Sequence, residues 1–339
     1  MKLLITGSAG FIGGYLVQEL LEHGHQVVGI DNYSKYGQVG KSYDNHPRYN
    51  FVEGDAKDVS LLKELISDCD QVVAIAAKIG GISYFHELAY DLLAENERIT
   101  AAIFDASIWA YKNKRLKKIN VMSSSMVFES TSTYPTPEGE QVKCPPPLST
   151  YGFQKLACEY FTKGAYEQYG LPYTIIRPFN AMGIGEKRAR LEREILSGNV
   201  KLAMSHVVPD LVQKILKGQD PLRILGKGNQ VRHYTYAGDL GRGIRLCIED
   251  DKALNEDFNL STPLSTTVLE LAQTIWRKIN SEKPFRYMSD KPFAYDVQKR
   301  VPSVEKAKRI LGFEATTTLE ESLDEVIPWI QEQVRTGGI

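Results

Sequence analysis

The sequence is poor in cysteine: four in 339 residues, and Cys69, Cys144, Cys158 and Cys247 form no CxxC pair. That argues against a disulfide scaffold and leads us to expect free thiols of a reducing compartment. The six histidines are equally dispersed, so no metal site is expected. Neither sign of charge is in excess, with 41 Lys plus Arg against 42 Asp plus Glu. Such a balance offers no footprint for nucleic acid or an anionic membrane surface. No stretch approaches the roughly 20 apolar residues of a membrane helix. The opening Met1–Thr6 segment is too short an apolar run for a signal peptide, and glycines follow it. A cytoplasmic location is the expectation. Internal repeats and low-complexity segments are also missing.

What is present is alternation. Lys2–Thr6, Gln26–Asp31, Tyr49–Val52, Gln71–Ala76, Lys117–Ser123 and Pro172–Arg177 are short apolar runs bounded by turns. Between them lie amphipathic stretches at Ile12–His23, Val59–Ile66, Leu88–Tyr111 and Gly152–Tyr169. This pattern predicts an α/β fold, a doubly wound parallel sheet with helices on both faces and right-handed crossovers. Beyond Arg177 the pattern loosens. Gly183–Ala203 is densely charged without an apolar face, which reads as a solvated helix or loop, or else as a flap over a substrate or an oligomer contact. Val207–Leu216, Val268–Ile279 and Leu319–Ile330 read as further helices of a smaller C-terminal lobe.

Gly7-Ser-Ala-Gly10-Phe-Ile-Gly13 stands between a strand and a helix. Such a turn needs permissive backbone, and a pyrophosphate can approach only where no Cβ intervenes. The following helix presents free N–H groups and the positive end of its dipole. This is the fingerprint of a dinucleotide-binding, Rossmann-type sheet. Asp31 ends the second strand 18 residues past Gly13. A carboxylate there accepts from both ribose hydroxyls and repels a 2′-phosphate, so NAD is expected rather than NADP. Asp55 follows the third strand, placed either at the adenine edge or as a cap of the next helix.

Tyr151 and Lys155 lie four apart on one helical face. A tyrosine is a poor base unless its phenolate is favoured, and a nearby ammonium and a positive nicotinamide ring both favour it. Ser123–Ser125 end the preceding strand, at the carboxyl edge where such sheets bind ligands.

With these residues the chain resembles the extended short-chain dehydrogenase/reductase family, in its NAD-dependent nucleotide-sugar epimerase and dehydratase branch. The resemblance spans nearly the full length. It rests on the Gly7–Gly13 loop, Asp31-Asn32, Gly54-Asp55, Ala74–Ala77, Asn96, Ser123–Ser125, the Tyr151/Lys155 pair, Arg177–Asn180, Gly226–Arg232 and Lys306–Gly312. It implies a dinucleotide domain of residues 1–180 and 229–260, and a nucleotide-sugar lobe of 181–228 and 261–339. Gly7, Gly10, Phe11, Ile12, Gly13, Asp31, Asn32, Asp55, Ala56, Ala76, Ala77 and Asn96 would hold NAD together with Tyr151 and Lys155. Ser124, Tyr151 and Lys155 would be catalytic. Asn180 and Arg232 would hold the nucleotide diphosphate of a UDP- or GDP-sugar, with Lys78, His86, Ser125 and Met126 around the sugar. Helices 88–111 and 152–169 match those that pair two subunits into a homodimer.

Dehydrating relatives carry an Asp-Glu pair after the catalytic hydroxyl residue, and decarboxylating relatives keep a Glu. Those that epimerise at carbons 3 and 5 have a Cys where Met126 stands here. A thioether neither donates nor accepts a catalytic proton. The remaining cycle is the simplest: Tyr151 deprotonates the 4-hydroxyl, the 4-keto sugar turns, and its other face is reduced. A nucleotide-sugar 4-epimerase is therefore the expectation. Two rivals stand beside it: a lyase in which Lys78, His86 or Glu129 replaces the missing acids, and a non-catalytic NAD sensor. The segment Ala76–Ile82 looks like that of GDP-sugar 3,5-epimerases and fucose synthases, which conflicts with Met126. Phe128, His233–Tyr236 and Pro302-Ser303 also depart from the family pattern, leaving the sugar itself open.

Overall fold

The computed structural model describes residues 1–80, 88–186, 195–202, 206–292 and 296–338. Seven strands form one sheet: β1 Lys2–Thr6, β2 Gln26–Asp31, β3 Tyr49–Glu53, β4 Gln71–Ala74, β5 Lys118–Met122, β6 Tyr173–Pro178 and β7 Glu256–Leu260. Their spatial order is β7-β6-β5-β4-β1-β2-β3, and every pairing is parallel. Strands buried on both faces should read as continuous apolar runs, and Leu3, Leu4 and Ile5 are all but sealed from solvent. The order reverses between β1 and β4. At such a switch point the loops diverge and leave a crevice beyond the carboxyl ends of the strands.

Helices cover both faces. One core packs α1 (Phe11–Glu22) and α6 (Ala237–Glu249) against β1 and β7. The other packs α2 (Val59–Ile66), α3 (Ala89–Asn113) and α4 (Thr150–Tyr169) against β4 and β5. The expected helices at 59–66, 88–111 and 152–169 form with ends shifted by at most two residues. An apolar stripe of Leu240, Ile244, Cys247 and Ile248 marks α6 at helical spacing, although Gly238, Gly241 and Gly243 thin it. Those glycines have a packing reason: a Cβ at Gly241 would lie 3.3 Å from the Tyr15 carbonyl, so α6 can approach α1 closely.

A third core gathers α5 (Val207–Leu216), α7 (Val268–Ile279) and α9 (Leu319–Thr336) beyond the carboxyl edge of the sheet, with α8 (Glu305–Leu311) packed instead beside β7. The starts of α7 and α9 are legible from capping boxes, Thr267 with Glu270 and Thr318 with Glu321. The charged 183–203 stretch contains an antiparallel pair, Ile195–Ser197 with Val200–Leu202, in place of the helix or loop read from its charges. Its residues 187–194 and 203 lie outside the described residues. All four cysteines are free. No helix among the described residues is long and apolar enough to cross a membrane.

Candidate active site

The carboxyl edge of the sheet opens into one cleft of about 630 Å³ that runs on between α5 and α9. Its floor at the switch point is the glycine loop. Gly7 takes a left-handed φ of 75°, and its carbonyl accepts the Gly10 N–H at 3.1 Å. A Cβ at Gly13 would fall 2.2 Å from the Gly7 carbonyl oxygen, so only glycine lets α1 start under the turn. The loop thus aims the first N–H groups of α1 into the cleft, as a pyrophosphate requires.

Asp31 stands beside it at the end of β2. Its Oδ1 accepts the Tyr33 N–H at 2.8 Å and Oδ2 the Ala9 N–H at 3.2 Å. Burial raises its carboxyl pKa, against these two backbone donors. Each carboxylate oxygen keeps a further lone pair for a ribose hydroxyl. Asp55 also lines the cleft. The cap of α2 is Asp58, which accepts from the Ser60 and Leu61 N–H groups, so Asp55 is left to close a turn onto Lys57. These residues fit a dinucleotide: a phosphate cradle that a Cβ would fill, and at the end of the neighbouring strand a carboxylate bonded to the same loop through Ala9.

The facing wall is made by α4 and the end of β5. Ser149 caps α4, its Oγ accepting the Gly152 N–H at 3.0 Å. Glu129 Oε2 accepts from both the Ser149 N–H and its hydroxyl, at 3.0 and 2.8 Å. The carboxylate is therefore a brace for the helix start. Gly152 is required here, since a Cβ would meet the Met126 carbonyl at 2.8 Å. The first turn of α4 consequently lies against the turn Ser125–Phe128, and Tyr151 reaches the cleft buried. Lys155 Nζ donates to the Met122 carbonyl at 2.9 Å. Ser124 Oγ accepts the Met126 N–H at 3.2 Å, which leaves its proton to donate. Met126 packs with Leu92 and Tyr151, with Ile79 and Val297 against them, so this part of the wall is apolar.

The expected site residues Gly7, Gly10, Phe11, Ile12, Gly13, Asp31, Asn32, Asp55, Ala56, Ala76, Ala77, Lys78, Ser124, Ser125, Met126, Tyr151, Lys155, Asn180 and Arg232 all line this one cleft. Asn96 is placed differently and does not line it. Its amide accepts the Lys78 N–H at 2.6 Å and donates to the Lys78 carbonyl at 2.9 Å. Both ends are thus engaged in holding the 76–78 turn against α3. His86 lies outside the described residues.

The cleft also holds a residue that sequence reasoning missed. Arg300 sits near Arg232, and its Nε is buried without a hydrogen-bond partner among the described residues. Burial and then the Arg232 charge both hold its guanidinium pKa below the ordinary value. Arg232 is tied to the Val231 carbonyl at 2.9 Å and to Asp296 at 3.5 Å. The Tyr234 hydroxyl, buried beside both arginines, likewise finds no partner among the described residues. Two guanidinium groups and a phenol facing one another make a site for a multiply charged anion. Arg300 lies 68 residues past Arg232 in an irregular segment, so no periodicity marks it.

Residues 3–261 match the family model described as the NAD dependent epimerase/dehydratase family. Among solved structures, the chain is similar to the UDP-glucose 4-epimerase of Thermotoga maritima with UDP-glucose, at 28% identity and a TM-score of 0.79, covering 98% of this chain and 100% of that one. It is also similar to the UDP-glucuronic acid 4-epimerase of Bacillus cereus in complex with UDP-glucuronic acid and NAD, at 25% identity and a TM-score of 0.81, covering 98% and 99%. Among curated relatives, the UDP-N-acetyl-alpha-D-glucosaminuronate decarboxylase of Bacillus cytotoxicus is 28% identical, over 98% of each chain.

Proposed function

The chain belongs to the NAD dependent epimerase/dehydratase family, and we propose that within it the protein is a nucleoside-diphosphate-sugar 4-epimerase acting on a UDP-sugar. The observation that carries this reading is the wall opposite the glycine loop. Ser124, Tyr151 and Lys155 converge there, Met126 fills the position next to Ser125, and Glu129 is engaged at the start of α4.

NAD, when bound, supplies a hydride acceptor that can return the hydride later in the same cycle. The protein's own residues do the rest. Tyr151 Oη takes the proton of the sugar's 4-hydroxyl and gives it back when the oxygen has turned. Ser124 donates its hydroxyl proton to the same sugar oxygen. Lys155, fixed by the Met122 carbonyl, sets a positive charge one helical turn from Tyr151 and is placed to hold the nicotinamide ribose. Arg232 and Arg300 hold the diphosphate, with Asn180 at the same end of the cleft. The apolar surface of Met126, Ile79 and Val297 binds the turning ring without gripping one orientation. Proton transfer by a positioned group contributes about 10² to 10⁴-fold. Tyr151→Phe should therefore lose at least about 100-fold in turnover while keeping its NAD affinity and melting temperature; near-normal turnover would refute the mechanism. Product mass tests the reaction class: an epimerase leaves it unchanged, a decarboxylase lowers it.

We also propose that the protein works as a cytoplasmic homodimer paired through α3 and α4. Tyr90 on α3 and Phe153, Tyr160 and Phe161 on α4 are exposed large apolar side chains, which supports a partner on that face.

A further inference from the structure

A buried ionic chain lies directly behind the catalytic wall. Arg177 on β6 is fully buried and forks onto Glu159 of α4, Nε to Oε1 at 2.7 Å and Nη2 to Oε2 at 2.8 Å. Its Nη1 donates to Asp257 of β7 at 2.7 Å, and Asp257 in turn accepts from Lys306 of α8 at 2.7 Å. Glu159 Oε1 also accepts the Ser123 hydroxyl at 2.6 Å. The guanidinium lies 5.3 Å from the ring centre of Phe128, at the end of the turn that Ser124 caps.

The connectivity is specific. Glu159 lies four residues past Lys155 and eight past Tyr151, so about two turns carry all three on one face of α4. Ser123 is the residue before Ser124. One carboxylate therefore joins the helix bearing Tyr151 and Lys155 to the strand end bearing Ser124, and Arg177 anchors that carboxylate to the sheet. Burial works against the Arg177 charge, yet Glu159 and Asp257 outweigh it and hold its pKa above the ordinary value. A buried pair of this kind is weak evidence of stability, since an apolar replacement often serves as well. Its use lies in geometry: a bidentate fork fixes both distance and angle.

We propose that Glu159 and Arg177, with the Ser123 hydroxyl, are positioning residues that set the register of Tyr151 and Lys155 against Ser124. The inference rests on the acid–base and positioning roles proposed above for those three. A misplacement of about 1 Å can cost on the order of 100-fold in rate. Glu159→Gln should lower kcat at least about tenfold with KM within about threefold, and Ser123→Ala should lower it by a smaller factor in the same direction. Each is measured well below its own melting temperature, beside Arg245→Met. Arg245 bridges Glu19 and Glu249 outside the cleft and controls for stability loss alone. If Glu159→Gln does not fold, Ser123→Ala decides, because it removes one hydrogen bond and no charge. Amide hydrogen exchange with NAD bound gives a readout independent of any sugar: residues 150–156 should exchange faster in both variants and not in Arg245→Met. Turnover within twofold of wild type, or unchanged exchange over 150–156, would overturn the proposal. Should the wild type turn over no nucleotide sugar, the proposed function fails and the exchange arm alone decides this inference.

Discussion

Arg300→Met should separate stability from affinity. In the free protein Arg300 is half-buried, its Nε has no partner among the described residues, and the Arg232 charge stands opposite. A buried donor left unsatisfied costs about 1–3 kcal/mol, and the partial exposure places this one near the lower end. Methionine fills similar length with an adaptable apolar chain. The variant should therefore gain about 1 kcal/mol, a rise in melting temperature of about 2 °C for a chain of this size. Binding should move the opposite way. Charge-assisted hydrogen bonds contribute about 1.5–3 kcal/mol, so affinity for uridine diphosphate should fall by about 10 to 150-fold. Arg300→Lys, which keeps the charge and loses the fork, should fall between. Thermal melting and titration calorimetry read the two effects on one sample. A lower melting temperature together with affinity within twofold of wild type would show that Arg300 is a structural residue and that the diphosphate binds elsewhere.

Other outcomes follow from the same geometry. If Asp31 holds the NAD ribose, the ribose hydroxyls would donate to its charged form, and burial raises its carboxyl pKa above the ordinary value. NAD affinity should thus be flat near neutrality and weaken as the pH falls through that raised value, and Asp31→Asn should bind more weakly with a flat profile; calorimetry between pH 4 and 8 checks it. Gly13→Ala places a Cβ 2.2 Å from the Gly7 carbonyl. It should lose about 1–3 kcal/mol of stability by overpacking and most of its NAD affinity, measured by melting with and without NAD. Tyr160 is 63% exposed on α4. Tyr160→Glu should convert a dimer to a monomer in light scattering while NAD still binds; a wild-type monomer would refute the pairing through α3 and α4.

The sequence by itself determined whatever depends on neighbours along the chain. Strand alternation, the Gly7–Gly13 turn, Asp31 at a strand end and the Tyr151/Lys155 spacing are all local, because steric limits and the periods of helix and strand act over a few residues. Hence the sheet, the glycine turn and most of the residues that line the cleft were legible. The tertiary structure alone decided which distant groups meet. It tied Asn96 to the Lys78 backbone, assigned the capping of α2 to Asp58, and made Glu129 a brace for Ser149. It also brought Arg300 to Arg232, and joined Glu159, Arg177 and Asp257 from α4, β6 and β7 into one buried chain. Such pairings leave no periodic trace. A charge is written in the sequence, but whether it is solvated, paired or held against a like charge depends on the packing around it.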